Sequence, residues 1–225
     1  LNDTVEEIAG NKEITGVSLK SGKFIPCQAV ITAIGVIPNG ELIKNTPVKF
    51  DRGLDVDDYM CTNVPNVYGA GDVVKATDIT DGQKRSLPLW PLAFQQGLVA
   101  GINMAGVRYP YAGGLPMNSL KFLKVPILSA GITTPPDAGY EVISVSDPKG
   151  TFYRSLVLKE GRLKGFVTIG EIDGAGVLTG LIRSKTDISG IKTRLLNKKK
   201  IGLMQMPREW RNRIFTRRDE TDYND

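Results

Sequence analysis

The 225-residue chain contains no histidine. The commonest general base and the commonest metal ligand are therefore missing, and Ser-His-Asp and Cys-His catalysis are excluded within it. Cysteine is almost as scarce: Cys27 and Cys61 lie far apart and form no C-x-x-C pair. That spacing argues against a redox dithiol or a zinc site and for two free, mostly buried thiols in a reducing compartment, the cytoplasm. No apolar run approaches the roughly 18 residues needed to cross a bilayer, and no signal peptide is visible, so no membrane role is expected. No carboxylates stand at metal-binding spacing, and the expected metal set is empty. The first residue is Leu1 rather than methionine, which suggests a chain cut from something longer.

What is present is ordinary for a globular protein: 41% hydrophobic and 24% charged residues, with a net charge of +5. The charge is uneven. Lys198–Arg218 carries eight basic residues against Glu209, followed by Asp219, Glu220, Asp222 and Asp225. With Trp210 and Phe215 interleaved, the tail could contact nucleic acid or an anionic surface; a charged helix packed on its own domain is the plainer reading, and nucleic acid is not the expected partner.

The most informative stretch is Thr62-Asn-Val-Pro-Asn-Val-Tyr-Gly-Ala-Gly-Asp72. It reads as a polar start, a proline, a short apolar strand and a turn of small residues ending on a carboxylate. Small residues at 69–71 let the backbone approach a large ligand, and Asp72 can accept hydrogen bonds from hydroxyls. Upstream, Thr4–Ile8, Ile14–Leu19 and the short run Phe24-Ile25 read as a β-meander, and Ala29–Ile34, almost wholly apolar, as a central strand covered on both faces. That run ends in Gly35-Val-Ile-Pro38-Asn39. Asn39–Asn45 suits a short helix, Arg52-Gly53 a turn, and residues 73–86 a polar loop. From Leu87 onward an apolar run with Pro91 near its start and Gly106 at its end predicts a helix buried on most sides. Tyr109–Gly114 reads as a linker. Beyond it, Ile127–Ile132, Glu141–Ser146, Tyr153–Lys159 and Leu163–Ile169 read as strands, with turns at Asp147–Gly150 and Lys159–Gly161, and Gly174–Arg183 and Ile188–Leu196 as helices. This order fits an α+β domain.

The Thr-x5-Tyr-Gly-Ala-Gly-Asp spacing resembles the second flavin motif of the FAD-dependent pyridine nucleotide-disulfide oxidoreductases. Ala33, Gly35, Pro38 and Asn39 resemble the end of that family's NAD(P)-binding domain. Asn118-Ser119, Lys121, Ser129-Ala-Gly131 and Gly165–Gly170 are similar to the C-terminal domain of its nitrite-reductase-like and rubredoxin-reductase-type members. The resemblance implies an α/β remnant of the two-dinucleotide-binding-domain fold followed by a smaller α+β domain. Its segments are a tail of the NAD(P)-binding domain (1–39), the later half of the FAD-binding domain (40–112), an interface domain (115–196) and a charged tail (197–225). The implied cofactors are FAD and NAD(P)H. The implied cofactor-binding residues are Gly71 as the glycine of close approach, Asp72 at the ribityl chain with the amide after it near the pyrophosphate, Trp90, Pro91 and Leu92 at the flavin ring, and Gly35 in the NAD(P) portion.

No protein acid, base or nucleophile is implied. The sequence has no G-x-G-x-x-G fingerprint, so the first half of the FAD domain and most of the NAD domain are expected to precede Leu1, and the fragment alone is expected to be inactive. A glutathione-reductase-like member is disfavoured, since its C-terminal domain supplies a histidine; a coenzyme-A-disulfide-reductase-like one stays open. Hydride would pass from nicotinamide to flavin and electrons onward to an acceptor that the sequence does not identify. A homodimer through the C-terminal domain and docking of a small redox protein are both compatible with the resemblance. A purely oligomeric or interaction module is the alternative.

Overall fold

The structure, a computed structural model, describes residues 2–197. The basic tail considered above lies outside the described residues. The chain divides into two compact units, one ending at Ile37 and one beginning at Pro38.

The first unit is an antiparallel meander of β1 (Val5–Gly10), β2 (Ile14–Leu19) and β3 (Phe24–Pro26), in that spatial order. Gly10, at φ +139°, makes the first turn possible, because a Cβ there would fall 2.1 Å from the Glu13 carbonyl oxygen. Gly16 leaves room for the Phe24 ring, whose edge would lie 2.3 Å from a Cβ at that position. The run Ala29–Ile34 is not a strand. Ile31 and Ile34 are 92% and 90% exposed. A strand needs neighbours for its main-chain ladder, and the described residues set none beside this run; apolar composition alone does not make hydrogen bonds.

The second unit opens with a 3-10 turn at Glu41–Ile43 rather than the longer helix expected there. Asp51-Arg52-Gly53 reverses the chain, with Arg52 at φ +53° and Phe50 bridged to Leu54. A three-stranded sheet follows, ordered β4 (Leu54–Asp55), β5 (Val74–Thr77) and β6 (Lys84–Arg85), with β4 parallel and β6 antiparallel to β5. Residues 73–86 are thus not simply a loop. Val74, Ala76 and Asp78 alternate into the core, a period-2 signal too short to stand out among polar neighbours. Buried Asp78 accepts hydrogen bonds from the Thr80 amide (2.8 Å) and hydroxyl (2.6 Å) and lies 3.3 Å from Arg85 Nη1.

Helix α1 (Trp90–Met104) covers this sheet, burying Leu92, Gln96, Val99 and Ala100. Gly106, at φ +87°, follows its end as expected. The helix is one-sided rather than buried on most sides: Trp90, Phe94, Leu98 and Met104 are exposed. The local core comprises Leu54, Val56, Met60, Val74, Ala76, Val99, Ala100 and Tyr111.

The remaining strands form a five-stranded antiparallel sheet ordered β7 (Met117–Phe122), β8 (Val125–Gly131), β11 (Arg162–Ile169), β10 (Tyr153–Lys159) and β9 (Glu141–Ser146). β7 was not legible in advance, since every residue in it is exposed and it lacks the in–out alternation of a half-buried strand. α2 (Ala175–Ser184) packs on β11 and β8, and α3 (Lys192–Leu196) on β10 and β9. The expected second helix is shorter than read, because residues 188–191 form the turn before it. Leu156, Leu158, Leu163, Phe166, Leu178, Leu181 and Ile188 make this core. Buried Arg154 donates from Nη1 to the carbonyls of Leu195 and Asn197, each at 3.0 Å, satisfying acceptors at the end of α3.

Candidate functional site

The Thr62–Asp72 stretch does not form the strand read from sequence. Val64–Val67 is a tight turn, closed by a hydrogen bond from the Val67 amide to the Val64 carbonyl (3.2 Å), with Asn66 at φ +63°. A single bridge joins Cys61 to Tyr68. Pro65 supplies no N–H and Asn66 takes the left-handed conformation, so a turn wins over the apolar run around it. The strand comes after the glycines, as β5.

The glycines do what small residues allow. A Cβ on Gly69 would fall 2.3 Å from Leu54 Cδ2, so this backbone lies directly on the core. Gly71 sits at φ +87°, where an added Cβ would meet only Ala93 Cβ, at 3.7 Å. Its conformation, not lack of room, calls for glycine. The Gly71 amide donates to Gln96 Oε1 at 2.8 Å, and the Ser86 hydroxyl donates to the Asp72 carbonyl at 2.7 Å. The turn is thereby fastened to the second turn of α1. Asp72 is exposed, and its carboxylate has no hydrogen-bond or ion-pair partner among the described residues.

Gln96 is the residue that sequence reading missed. It is 3% exposed, on the inner face of an otherwise apolar stripe. Its Nε2 points to Tyr111 Oη at 3.5 Å. Burial pushes the Tyr111 phenol above its ordinary value, and its contact with Gln96 opposes that shift. A glutamine at a core position of a helix was the available signal.

The start of α1 adjoins this turn through Ala93. Leu89 caps it without a side-chain hydrogen bond. Pro91 has no N–H, and the Leu92 and Ala93 amides both bond the Leu89 carbonyl at 2.9 Å. What this helix end offers an anion is thus chiefly its dipole rather than a row of free donors. Trp90 is 86% exposed, so it is no core tryptophan, and Pro91 is exposed beside it. Leu92 points inward, 4% exposed, with its Cδ1 2.9 Å from where a Cβ on Gly114 would stand. Gly71, Asp72 and the Trp90–Leu92 helix start therefore form one cluster. Gly35, at φ +90° and exposed, is part of the first unit.

These groups suit one part of a dinucleotide: a glycine backbone, an unpaired acceptor for hydroxyls, a positive helix end and an exposed aromatic. Among the described residues no helix is long and apolar enough to cross a membrane, and no three or more His, Cys, Asp or Glu residues are grouped to hold a metal.

Comparison with known proteins bears on most of the chain. Residues 1–97 match the family described as pyridine nucleotide-disulphide oxidoreductase, and residues 116–186 match the rubredoxin NAD+ reductase C-terminal domain. The chain is 30% identical over 199 residues to the NADH-dependent phenylglyoxylate dehydrogenase subunit epsilon of Aromatoleum evansii, covering 87% of this chain and 47% of that protein. It is 29% identical over 190 residues to the nitrite reductase [NAD(P)H] of Bacillus subtilis (strain 168), covering 84% of this chain and 23% of that one. Among solved structures, the NADH:rubredoxin oxidoreductase of Clostridium acetobutylicum aligns with a TM-score of 0.58 at 30% identity, over 73% of this chain and 41% of the other. The chain spans less than half the length of each of these three relatives.

Proposed function

We propose that this chain belongs to the pyridine nucleotide-disulphide oxidoreductases, a family that is FAD-dependent and uses NAD(P)H, and forms part of an enzyme taking hydride from NAD(P)H and passing electrons to an acceptor; the matches of residues 1–97 to that family and of residues 116–186 to the rubredoxin NAD+ reductase C-terminal domain support this reading. The supporting observation is the fastening of Gly71 to Gln96, which presents the unpaired Asp72 beside the start of α1.

In this reading Asp72 accepts hydrogen bonds from ribityl hydroxyls, and the bare backbone at Gly71 lets the pyrophosphate lie close. The positive end of α1 favours negative charge on the ring. Trp90 and Pro91 contact the ring at the exposed helix start, and Leu92 contributes backbone only. When bound, FAD supplies the hydride acceptance and electron release, and the chain supplies placement and electrostatics. Gly35 serves the NAD(P) portion. The two cysteines are free thiols, which suits the cytoplasm.

The test is the visible spectrum of the protein that contains this chain, before and after anaerobic NADH and then NADPH. Flavin bands that bleach on addition support the reading and show which nucleotide serves. An Asp72→Ala variant should retain less FAD. A protein that shows no flavin band after incubation with FAD would overturn the proposal.

A homodimer through the C-terminal domain is a second proposal. It is favoured by exposed apolar side chains on and beside the edge strand β7: Leu120, Phe122 and Leu123 are 53%, 63% and 81% exposed. Sedimentation of wild type against Phe122→Ser tests it, and a concentration-independent monomer would remove it.

A further inference from the structure

The tip of the β10–β11 hairpin gathers three cations that the flavin reading does not use. Lys159 and Arg162 are direct cross-strand partners, joined by the turn residues Glu160 and Gly161 at φ +51° and +70°. Like charges set directly opposite each other disfavour pairing. Lys164 follows where the register slips, β11 carrying one extra residue opposite Val157 and Leu158. Such bulges re-aim a side chain and recur beside binding sites. With Thr80, Asp81 and Gln83 from one loop and Tyr140 before β9, these residues line a cleft of about 360 Å³.

The cleft is held in shape from several sides. Lys164 Nζ donates to the Thr80 carbonyl at 3.0 Å, leaving two of its N–H donors unused. Gly161 passes so near residues 187–189 that a Cβ would fall 2.4 Å from Ser189 Oγ, and its carbonyl accepts the Ile188 amide at 2.8 Å. Lys159 Nζ stands 4.7 Å from the centre of the Tyr140 ring. None of the three cations forms a salt bridge among the described residues. Of the two carboxylates lining the cleft, Asp81 is already ion-paired with Arg85, while Glu160 sits exposed on the turn. Asp187, bridged through its main chain to Arg162, is hydrogen-bonded to the Ser189 amide.

We propose that this cleft binds a small phosphoryl anion of diphosphate size. Three cations converge on a volume near the lower end for small-molecule sites, and Arg and Lys provide the charge-assisted donors that phosphate oxygens favour. The anion screens Lys159 from Arg162 and so stabilises the hairpin tip. The phosphoryl group comes either from free diphosphate or from a nucleoside diphosphate.

Calorimetric titration of the full chain with inorganic diphosphate, ADP and adenosine tests the site. Saturable diphosphate binding is expected at millimolar or lower concentration. The double variant Lys159→Gln/Arg162→Gln keeps the Lys164–Thr80 bond, and it should weaken binding by at least about tenfold, since each charge-assisted hydrogen bond carries roughly that factor. ADP binding more tightly than diphosphate assigns the site to a nucleotide, and equal or weaker binding assigns it to the free anion; both support it. No diphosphate binding overturns the proposal. So does adenosine binding as well as ADP, or an unchanged affinity in the double variant, as would follow if basic residues 198–218 held the anion.

Discussion

Replacing Gln96 with methionine isolates the bond that fastens the Gly71 turn. The two side chains are similar in length, so Met fills the same space and leaves no cavity. What disappears is the acceptor for the Gly71 N–H at 2.8 Å. The second contact of Gln96, at 3.5 Å to Tyr111, is at the limit of a hydrogen bond and contributes little. A partly buried amide left without a partner costs about 1–3 kcal/mol. For a chain of this size, about 2 kcal/mol corresponds to a fall in Tm of roughly 4–8 °C. Gln95→Met is the matched control, because Gln95 is the exposed neighbour on the same helix and an exposed substitution there should stay within about 0.5 kcal/mol. Urea and thermal unfolding by circular dichroism read both variants. Equal stability in the two would refute the claim that Gln96 holds the turn. Under the flavin reading, Gln96→Met also weakens FAD retention, since Gly71 precedes Asp72 directly.

Three further predictions follow from particular groups. Tyr111 keeps its proton more firmly folded than unfolded, because burial raises its pKa. Its stabilisation is therefore complete below about pH 10 and lost as pH rises through the folded value; a series of urea midpoints should show an alkaline fall that Tyr111→Phe flattens. Asp187 is held below the ordinary carboxylate value by hydrogen bonds from Ser189, with Arg162 adding to the effect. Its stabilisation is present above about pH 4 and lost as pH falls further, so Asp187→Asn should flatten the acid limb of the same titration. Gly165→Ala would set a Cβ 2.1 Å from the Ile132 carbonyl oxygen and 2.4 Å from its amide nitrogen, main-chain atoms that cannot swing aside. It should cost about 3 kcal/mol or more, whereas Gly176→Ala, in α2 with open space around it, should be neutral or stabilising by up to about 1 kcal/mol; thermal unfolding separates the two.

Local chemistry determined much of this protein before any tertiary contact. Ile14–Leu19, Glu141–Ser146 and Tyr153–Lys159 are strands with the bounds their β-branched and apolar runs indicate. Pro91 and Gly106 mark the ends of α1, because one lacks an N–H that the helix start does not need and the other takes a positive φ freely. Glu160-Gly161 and Arg52-Gly53 turn the chain where turn residues stand. The resemblance to the pyridine nucleotide-disulphide oxidoreductases, which residues 1–97 match, was likewise legible in the Gly-Ala-Gly-Asp spacing.

Tertiary structure decided what depends on partners distant in sequence. Ala29–Ile34 has the composition of a central strand but no neighbouring strand among the described residues, and stays irregular. β5 and β6 exist because β4, some twenty residues earlier, lies beside β5 and completes its ladder. Which face of α1 is buried depended on that sheet: Gln96 turns inward to Gly71, while Trp90 turns outward. The cation cluster at 159–164 was unreadable for the same reason. A hairpin register and its bulge bring Lys159, Arg162 and Lys164 together, and loop 80–83 closes on them from elsewhere in the chain. Propensity acts over a few residues, whereas pairing, burial and charge clustering are set by which segments meet.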